Sequence, residues 1–202
     1  FKNVPYKFAG DKNFHILDPG AILGYLSFFE EPILSPWTKF LKNKKVLVIS
    51  THAETIKQQW NKIDKIWNDK RDLIAPFDLV DVIRSPYHPY MDDRQPLNCS
   101  TWLESIEDIK QKIDSYDYDL LLCGSAASSP FYADYAKSKG KVGICAGGSH
   151  QLFFGIIGYR WTQGYYTPWK NMFNEHWTYP LEIDSAKKRN ELKNFETNFA
   201  YW

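Results

Sequence analysis

The chain has 202 residues, of which 44% are hydrophobic and 24% charged, a composition that suits one α/β domain with a buried core and argues against two full domains. Its 25 basic and 24 acidic residues give a net charge of +1, which excludes a field that gathers nucleic acid or an anionic membrane. Three cysteines cannot all pair and no apolar run has the length of a membrane span, so we expect a cytoplasmic protein without a disulfide framework.

The first half of the chain predicts an irregular arm followed by a strand and a helix. Four prolines interrupt the apolar positions before residue 37, so residues 1–43 are predicted to form the arm. Residues 45–50 predict a buried strand, and Thr51 followed by Glu54 has capping-box spacing for a helix. One face of that helix is apolar and should pack on the sheet: Ile56, Trp60, Ile63, Ile66 and Trp67.

Three more strands, over 77–83, 119–123 and 141–145, alternate with two more helices. Residues 85–100, with three prolines, predict a long stiff loop between them. Thr101 and Glu104 repeat the capping spacing ahead of a helix, while Pro130 suits the start of the next helix and Gly140 its end. The apolar face of the first of these two helices is predicted to be Trp102, Ile106, Ile109 and Ile113.

Strands that alternate with amphipathic helices predict a mostly parallel sheet in three layers, with helices on both faces. We therefore expect a single α/β domain over 1–202, with a core over 44–182 and a C-terminal tail over 183–202. The carboxyl ends of the first, third and fourth strands then share one edge of the sheet, where ligands of such folds bind.

Cys145 lies where the fourth strand gives way to a glycine turn ahead of a helix, which is the layout of a nucleophile elbow. Such a turn directs backbone N–H groups and a helix dipole at the thiol, and both favour the thiolate. Cys145 is therefore the predicted nucleophile. The same segment is also compatible with a small buried hydrophobic residue that ends a strand.

A cysteine nucleophile needs a base and a group that orients the base. Of five histidines, His176 is the predicted base because it follows the core strands, where a returning segment can reach the sheet edge; His52 is held in reserve. Glu175 and Glu182 are both candidates for the orienting carboxylate, and their spacing does not decide between them.

The predicted substrate contacts lie in the two loops at the same edge. The N–H of Ala146, together with an N–H from Gly124 or Ser125, would stabilise the oxyanion. Gly147 lies in the same glycine turn, and Gln151 could hold an amide or carboxylate.

No cofactor and no metal are predicted. The adjacent acids Asp92 and Asp93, in a proline-rich loop, are typical of a hydrated surface. The loop after the third strand lacks the G-x-G-x-x-G spacing of a dinucleotide site.

The order of elements resembles the class I glutamine amidotransferase superfamily, from about residue 44 to 182. The run Gly143-Ile144-Cys145-Ala146-Gly147 matches the fixed positions of the family's G-x-C-x-G motif, and the segment 117–126 is similar to its D-x-hydrophobic strand and oxyanion loop. The resemblance implies a flavodoxin-like sheet with a cysteine nucleophile and a histidine base. Two departures indicate an outlying branch: Ser149 stands where the family has glutamine, and Thr178 where it has the glutamate of H-x-E.

The resemblance implies an enzyme that cleaves a carboxamide, most simply the side chain of glutamine, through a thioester on Cys145. Ammonia would pass to a synthase domain or subunit. One alternative is a γ-glutamyl or peptide hydrolase of the same superfamily. Another is a non-catalytic binding or scaffolding module that has kept the fold and lost the triad. No nucleic acid or membrane partner is expected.

Overall fold

The computed structural model describes residues 37–68, 71, 74–85, 99–162 and 170–182. Within these ranges one four-stranded parallel sheet has the order β2-β1-β3-β4. Its strands are β1 Lys45–Ser50, β2 Asp78–Arg84, β3 Leu120–Gly124 and β4 Val142–Cys145. Most of the predicted arm, the loop over 86–98 with its two aspartates, and the tail over 183–202 lie outside the described residues.

Five α-helices connect or follow these strands in the described ranges: α1 Ala53–Trp60, α2 Ile63–Trp67, α3 Trp102–Asp114, α4 Ser129–Ser138 and α5 His150–Phe153. The single helix predicted after β1 is two helices, because the chain turns at residues 61–62, where the Lys62 N–H donates to the Gln59 carbonyl. No helix in the described part of the chain combines the length and the apolar character needed to cross a membrane.

The sheet buries both of its faces, because strand side chains alternate between them. Val46 and Val48 of β1 join a cluster with α1, α2 and α5, whereas Leu47 and Ile49 join a second cluster with α3 and α4. Helices therefore cover both faces, and the α/β prediction with a parallel, flavodoxin-like sheet in three layers is confirmed.

Helix α3 begins with the predicted capping interaction. The Thr101 hydroxyl accepts the Glu104 N–H at 3.2 Å, and the Glu104 carboxylate accepts the Ser100 N–H at 2.6 Å. The prediction that Trp102 shares one apolar face with Ile106, Ile109 and Ile113 is wrong, since Trp102 is 51% exposed and the three isoleucines are buried. Its indole N–H donates to the Ser128 hydroxyl at the start of α4, and its ring packs edge-on against Phe131.

Replacing Thr101 with alanine should lower the free energy of unfolding by about 1 kcal/mol, because the Glu104 N–H loses the hydroxyl that accepts its hydrogen bond. Urea denaturation measures the change. Ser100→Ala is the matched control, since Ser100 contributes its backbone N–H to this cap. Equal stability of the two variants would contradict the role given to Thr101.

Helix α4 has the predicted boundaries, with Pro130 in its first turn and Gly140 at its end with φ 74°. It packs tightly on β4 at Gly143. A Cβ atom at Gly143 would lie 2.3 Å from the Ala133 carbonyl oxygen and 2.6 Å from the Ala133 Cα. Glycine is required there because the backbones of β4 and α4 meet directly.

Candidate functional site

Cys145 is the last residue of β4, and its side chain is exposed at the carboxyl edge of the sheet. It pairs with Cys123 of β3, and the Ala146 N–H donates to the Cys123 carbonyl at 2.9 Å. Regular strand pairing thus continues through the residue. The chain turns two residues later, at Gly147 with φ 51°. The strained turn of a nucleophile elbow is therefore not located at Cys145, and the N–H predicted to hold an oxyanion is bonded within the sheet.

The thiol of Cys145 is a weak acid in this setting. Although the residue is exposed, burial of part of its side chain raises the pKa of the thiol above its ordinary value. Burial raises the pKa of the neighbouring Cys123 thiol further. Cys145 is therefore protonated at neutral pH unless a base takes its proton.

Cys145 and its predicted base are on opposite faces of the sheet. Ile144 packs against the cluster of α1, α2 and α5, so Cys145, the next residue along the strand, faces the layer of α3 and α4. Its partner Cys123 belongs to the core of that same layer.

His176 lies against α1 and α2 instead. Its carbonyl accepts the side-chain N–H of Gln59 at 2.8 Å, and Asn174, two residues earlier, donates to the carbonyls of Lys65 and Ile66 at 3.2 Å. Its ring is 3.5 Å from the carboxylate of the exposed Glu175. The structure brings His176 and Glu175 together, and the pairing of His176 with Cys145 stays a prediction.

Glu182, the other predicted acid, is buried at the start of α1. Its carboxylate accepts the Thr55 N–H at 3.0 Å and the Thr55 hydroxyl at 2.5 Å. The predicted capping box of Thr51 and Glu54 is wrong, because α1 begins after His52 and the His52 side chain makes no capping bond. The Glu182 carboxylate, far along the chain, supplies the cap instead, and its negative charge interacts favourably with the positive end of the helix dipole.

The Glu182 carboxylate is held in its charged form. Burial by itself would raise its pKa, but the His52 ring, 3.8 Å away, and the two donors of Thr55 outweigh burial and lower this pKa to about 2. The Thr55 hydroxyl also accepts the Leu181 N–H at 2.8 Å. Residues 181 and 182 are thereby fastened to α1.

A second buried network joins β1 to α5. The Ser50 hydroxyl accepts the His52 N–H at 3.0 Å and lies 2.6 Å from Nε2 of His150. Nδ1 of His150 lies 2.5 Å from the Gly147 carbonyl, which can only accept, so the ring proton is on Nδ1 and Nε2 accepts from Ser50. Burial lowers the pKa of His150 to about 3, so its ring is neutral at physiological pH.

Gln151, the residue after His150, connects α5 to His52 and Trp161 from inside the protein. Its side chain is fully buried; its oxygen accepts the Trp161 indole N–H at 3.1 Å, and its nitrogen lies 2.9 Å from Nε2 of His52. Both ends of the carboxamide are thus bonded to protein groups. The polar atoms of Gln151, a predicted substrate contact, are directed into the fold.

The loop after β3 differs from this closed network. A Cβ at Gly124 would lie 2.3 Å from the His150 ring, so glycine is required there. Ser125 is 8% exposed, and its hydroxyl has no hydrogen-bond partner among the described residues. Ala126 is exposed and has φ 47°, a conformation that few residues with a Cβ adopt.

Three features of this edge escaped prediction from the sequence: the bonding roles of Ser50, Thr55 and His150, the cap on α1, and the strained Ala126. The polar residues 50–52, at the end of a buried strand, were the available signal for the bonding role of Ser50. Among the described residues, no group of three or more His, Cys, Asp or Glu side chains is placed to hold a metal ion.

No protein-family model, curated protein or solved structure matches this chain. The resemblance to the amidotransferase superfamily stays a prediction from the order of elements and the sequence motif.

Proposed function

We propose that this chain is a ligand-binding α/β domain whose site lies at the carboxyl ends of β3 and β4. The observation that carries this proposal is the contrast along one sheet edge. The end of β1 is filled by bonded, buried side chains, whereas the ends of β3 and β4 present an exposed thiol at Cys145 and an exposed strained residue at Ala126. Parallel sheets bind ligands at this edge, and backbone strain is concentrated at functional sites.

The buried network supports a structural role for the histidines at this edge. His52 and His150 are 1% and 2% exposed, and the ring nitrogens of His150 are both engaged by protein groups. Such side chains cannot transfer protons to a bound molecule without local opening. They hold the loops after β1 and β4 in place, which favours binding over acid–base chemistry.

The test uses Cys145 as a reporter. Iodoacetamide alkylation of Cys145 is followed by mass spectrometry in a Cys99→Ser background, with a panel of glutamine, a γ-glutamyl dipeptide, inorganic phosphate and a nucleoside monophosphate. A ligand of this site should slow alkylation of Cys145. Ser138→Cys, in the last turn of α4 and away from the edge, provides a control thiol. Equal rates with and without every compound would reject the proposal.

The exposed thiol at the sheet edge also favours a second candidate, a cysteine-dependent hydrolase of the amidotransferase type. In that scheme Cys145 attacks a carboxamide, most simply that of glutamine, and a base takes the thiol proton and delivers it to departing ammonia. Water then releases the acyl group, and a synthase subunit receives the ammonia. His176 would have to leave the face of α1 to act as that base.

A glutaminase assay tests this candidate, with γ-glutamyl peptides as alternative substrates and Cys145→Ala as the control variant. Release of ammonia that is abolished by Cys145→Ala would establish it. Equal turnover by the two proteins would reject it.

The pH dependence of alkylation separates the two candidates. Because burial raises the pKa of the Cys145 thiol, we expect its alkylation rate to rise with pH to a midpoint above that of free cysteine. Rates are measured at a series of pH values, with free cysteine as the reference. A midpoint below neutral pH would contradict the binding proposal, since it would reveal a thiolate activated for attack.

A further inference from the structure

We propose that the loop between β3 and α4 binds the phosphate group of a small molecule. The inference rests on the proposed function, because it names the chemistry of a ligand at the same edge. It is carried by a side chain, a backbone conformation and a helix end that meet within residues 125–129.

The side chain is the Ser125 hydroxyl, which is buried and has no partner among the described residues. Ser125 is held at the start of α4, because its N–H donates to the Ser129 hydroxyl at 2.9 Å and its carbonyl accepts the Ser128 N–H at 3.1 Å. A buried hydroxyl without a partner costs about 1–3 kcal/mol. A ligand oxygen that the hydroxyl reached by a change of rotamer would recover that cost.

The backbone conformation is a concave one. Ser125, with φ −113° and ψ 35°, is followed by Ala126 with φ 47°, so the chain turns into the left-handed region directly after Ser125. The Ser125 N–H is bonded to Ser129, and this turn directs the next N–H groups, those of Ala126 and Ala127, toward a common point, an arrangement that binds anions. Ala126 and Ala127 are exposed and carry only methyl groups, so a ligand can approach the backbone closely.

The helix end adds a favourable potential. Helix α4 spans ten residues and has no acidic residue in its first turn, so the positive end of its dipole faces the loop unopposed by a carboxylate of that turn. Hydroxyl and amide donors that converge from several directions suit a tetrahedral phosphate better than a planar carboxylate. β3 pairs with β4, so a phosphate bound here would lie beside Cys145.

The experiment compares Ala126→Asp with Ala126→Asn. Asp and Asn are the side chains that best tolerate a left-handed backbone, so both variants should fold, and they differ in one negative charge at the loop. Binding of inorganic phosphate and of phenyl phosphate is measured by titrating amide NMR signals at constant ionic strength. We expect the Asn variant to bind within about twofold of the wild type and the Asp variant about tenfold more weakly or worse.

Two serine variants test the hydroxyl. Ser125→Ala should weaken phosphate binding by about threefold or more, as loss of one hydrogen bond does. Ser138→Ala, at the other end of the same helix, should leave binding unchanged. Acetate is titrated as the planar comparison anion. The proposal would be overturned if the Asp and Asn variants bound phosphate equally, or if Ser125→Ala and Ser138→Ala did. Equal binding of acetate and phosphate by the wild type would also overturn it.

Failure of this inference can be distinguished from failure of the proposed function. If phosphate compounds do not bind but another compound of the panel protects Cys145 from alkylation, the phosphate assignment is wrong and the binding site remains. If no compound protects Cys145 and phosphate shifts no amide signal of residues 125–129, both are wrong.

Discussion

Replacement of Glu182 with alanine is expected to lower the free energy of unfolding by about 2–4 kcal/mol, because two buried donors lose a charged acceptor and each buried group left without a partner costs about 1–3 kcal/mol. The Thr55 N–H and hydroxyl both lose their acceptor, and the His52 ring is left facing a buried gap. Urea denaturation at neutral pH measures the loss. Glu175→Ala is the control, because the Glu175 side chain is 81% exposed and its removal should change stability by less than about 0.5 kcal/mol.

The Glu182 effect should depend on pH in a defined window. Its pKa is lowered from an ordinary value of 4.5 to about 2. The stabilisation is therefore complete above the ordinary value and is lost as the pH falls through the window to about 2. Glu182→Gln cannot titrate at this position, so it should lack this pH-dependent part of the free energy of unfolding. The difference in stability between wild type and Glu182→Gln should therefore shrink as the pH falls from 4.5 to about 2. A difference that stays constant there would show that the charge of Glu182 is not what stabilises the α1 cap.

Gly143→Ala is expected to lower the free energy of unfolding by about 3 kcal/mol, the upper range of overpacking effects. The added methyl group would meet the backbone of Ala133 at 2.3–2.8 Å, and a backbone cannot turn away as a side chain can. Helix α4 must therefore move off β4. Denaturant unfolding gives the magnitude, and amide exchange in α4 should increase.

Gly140→Ala is the comparison for Gly143→Ala. Gly140 has φ 74° but no atom within 4 Å of an added Cβ, so the substitution adds backbone strain of about 1–2 kcal/mol without a clash. If the two variants were equally stable, the direct contact between β4 and α4 would not be the reason for glycine at 143.

The layers of this fold were predictable because local patterns determine them. Runs such as 46–49 and 120–123 are apolar without interruption, as strands buried on both faces are, and the isoleucines of α3 recur at helical spacing. The break between α1 and α2 was not predictable in the same way, since the apolar spacing continues across residues 61–62. A turn that keeps both helices on one face leaves that spacing nearly unchanged.

The arrangement of the site was much less predictable. Motif and chain order suggested that Cys145 and His176 meet, but a strand reverses the direction of its side chains at every residue, so the face on which Cys145 lies depends on a register that the motif does not contain. The capping spacing of Thr51 and Glu54 failed for another reason. His52 occupies the first capping position, and Glu182 bonds the Thr55 N–H from 127 positions away.

That separation has a consequence for how the protein is made. In a nascent chain α1 leaves the ribosome before β2, β3 and β4, and its first turn is completed only after Glu182 has been translated and released from the exit tunnel. Closing so long a loop is slow compared with forming a local helix turn. Premature termination between β4 and Glu182 would therefore leave the start of α1 without its cap, although every strand of the described sheet had been synthesised.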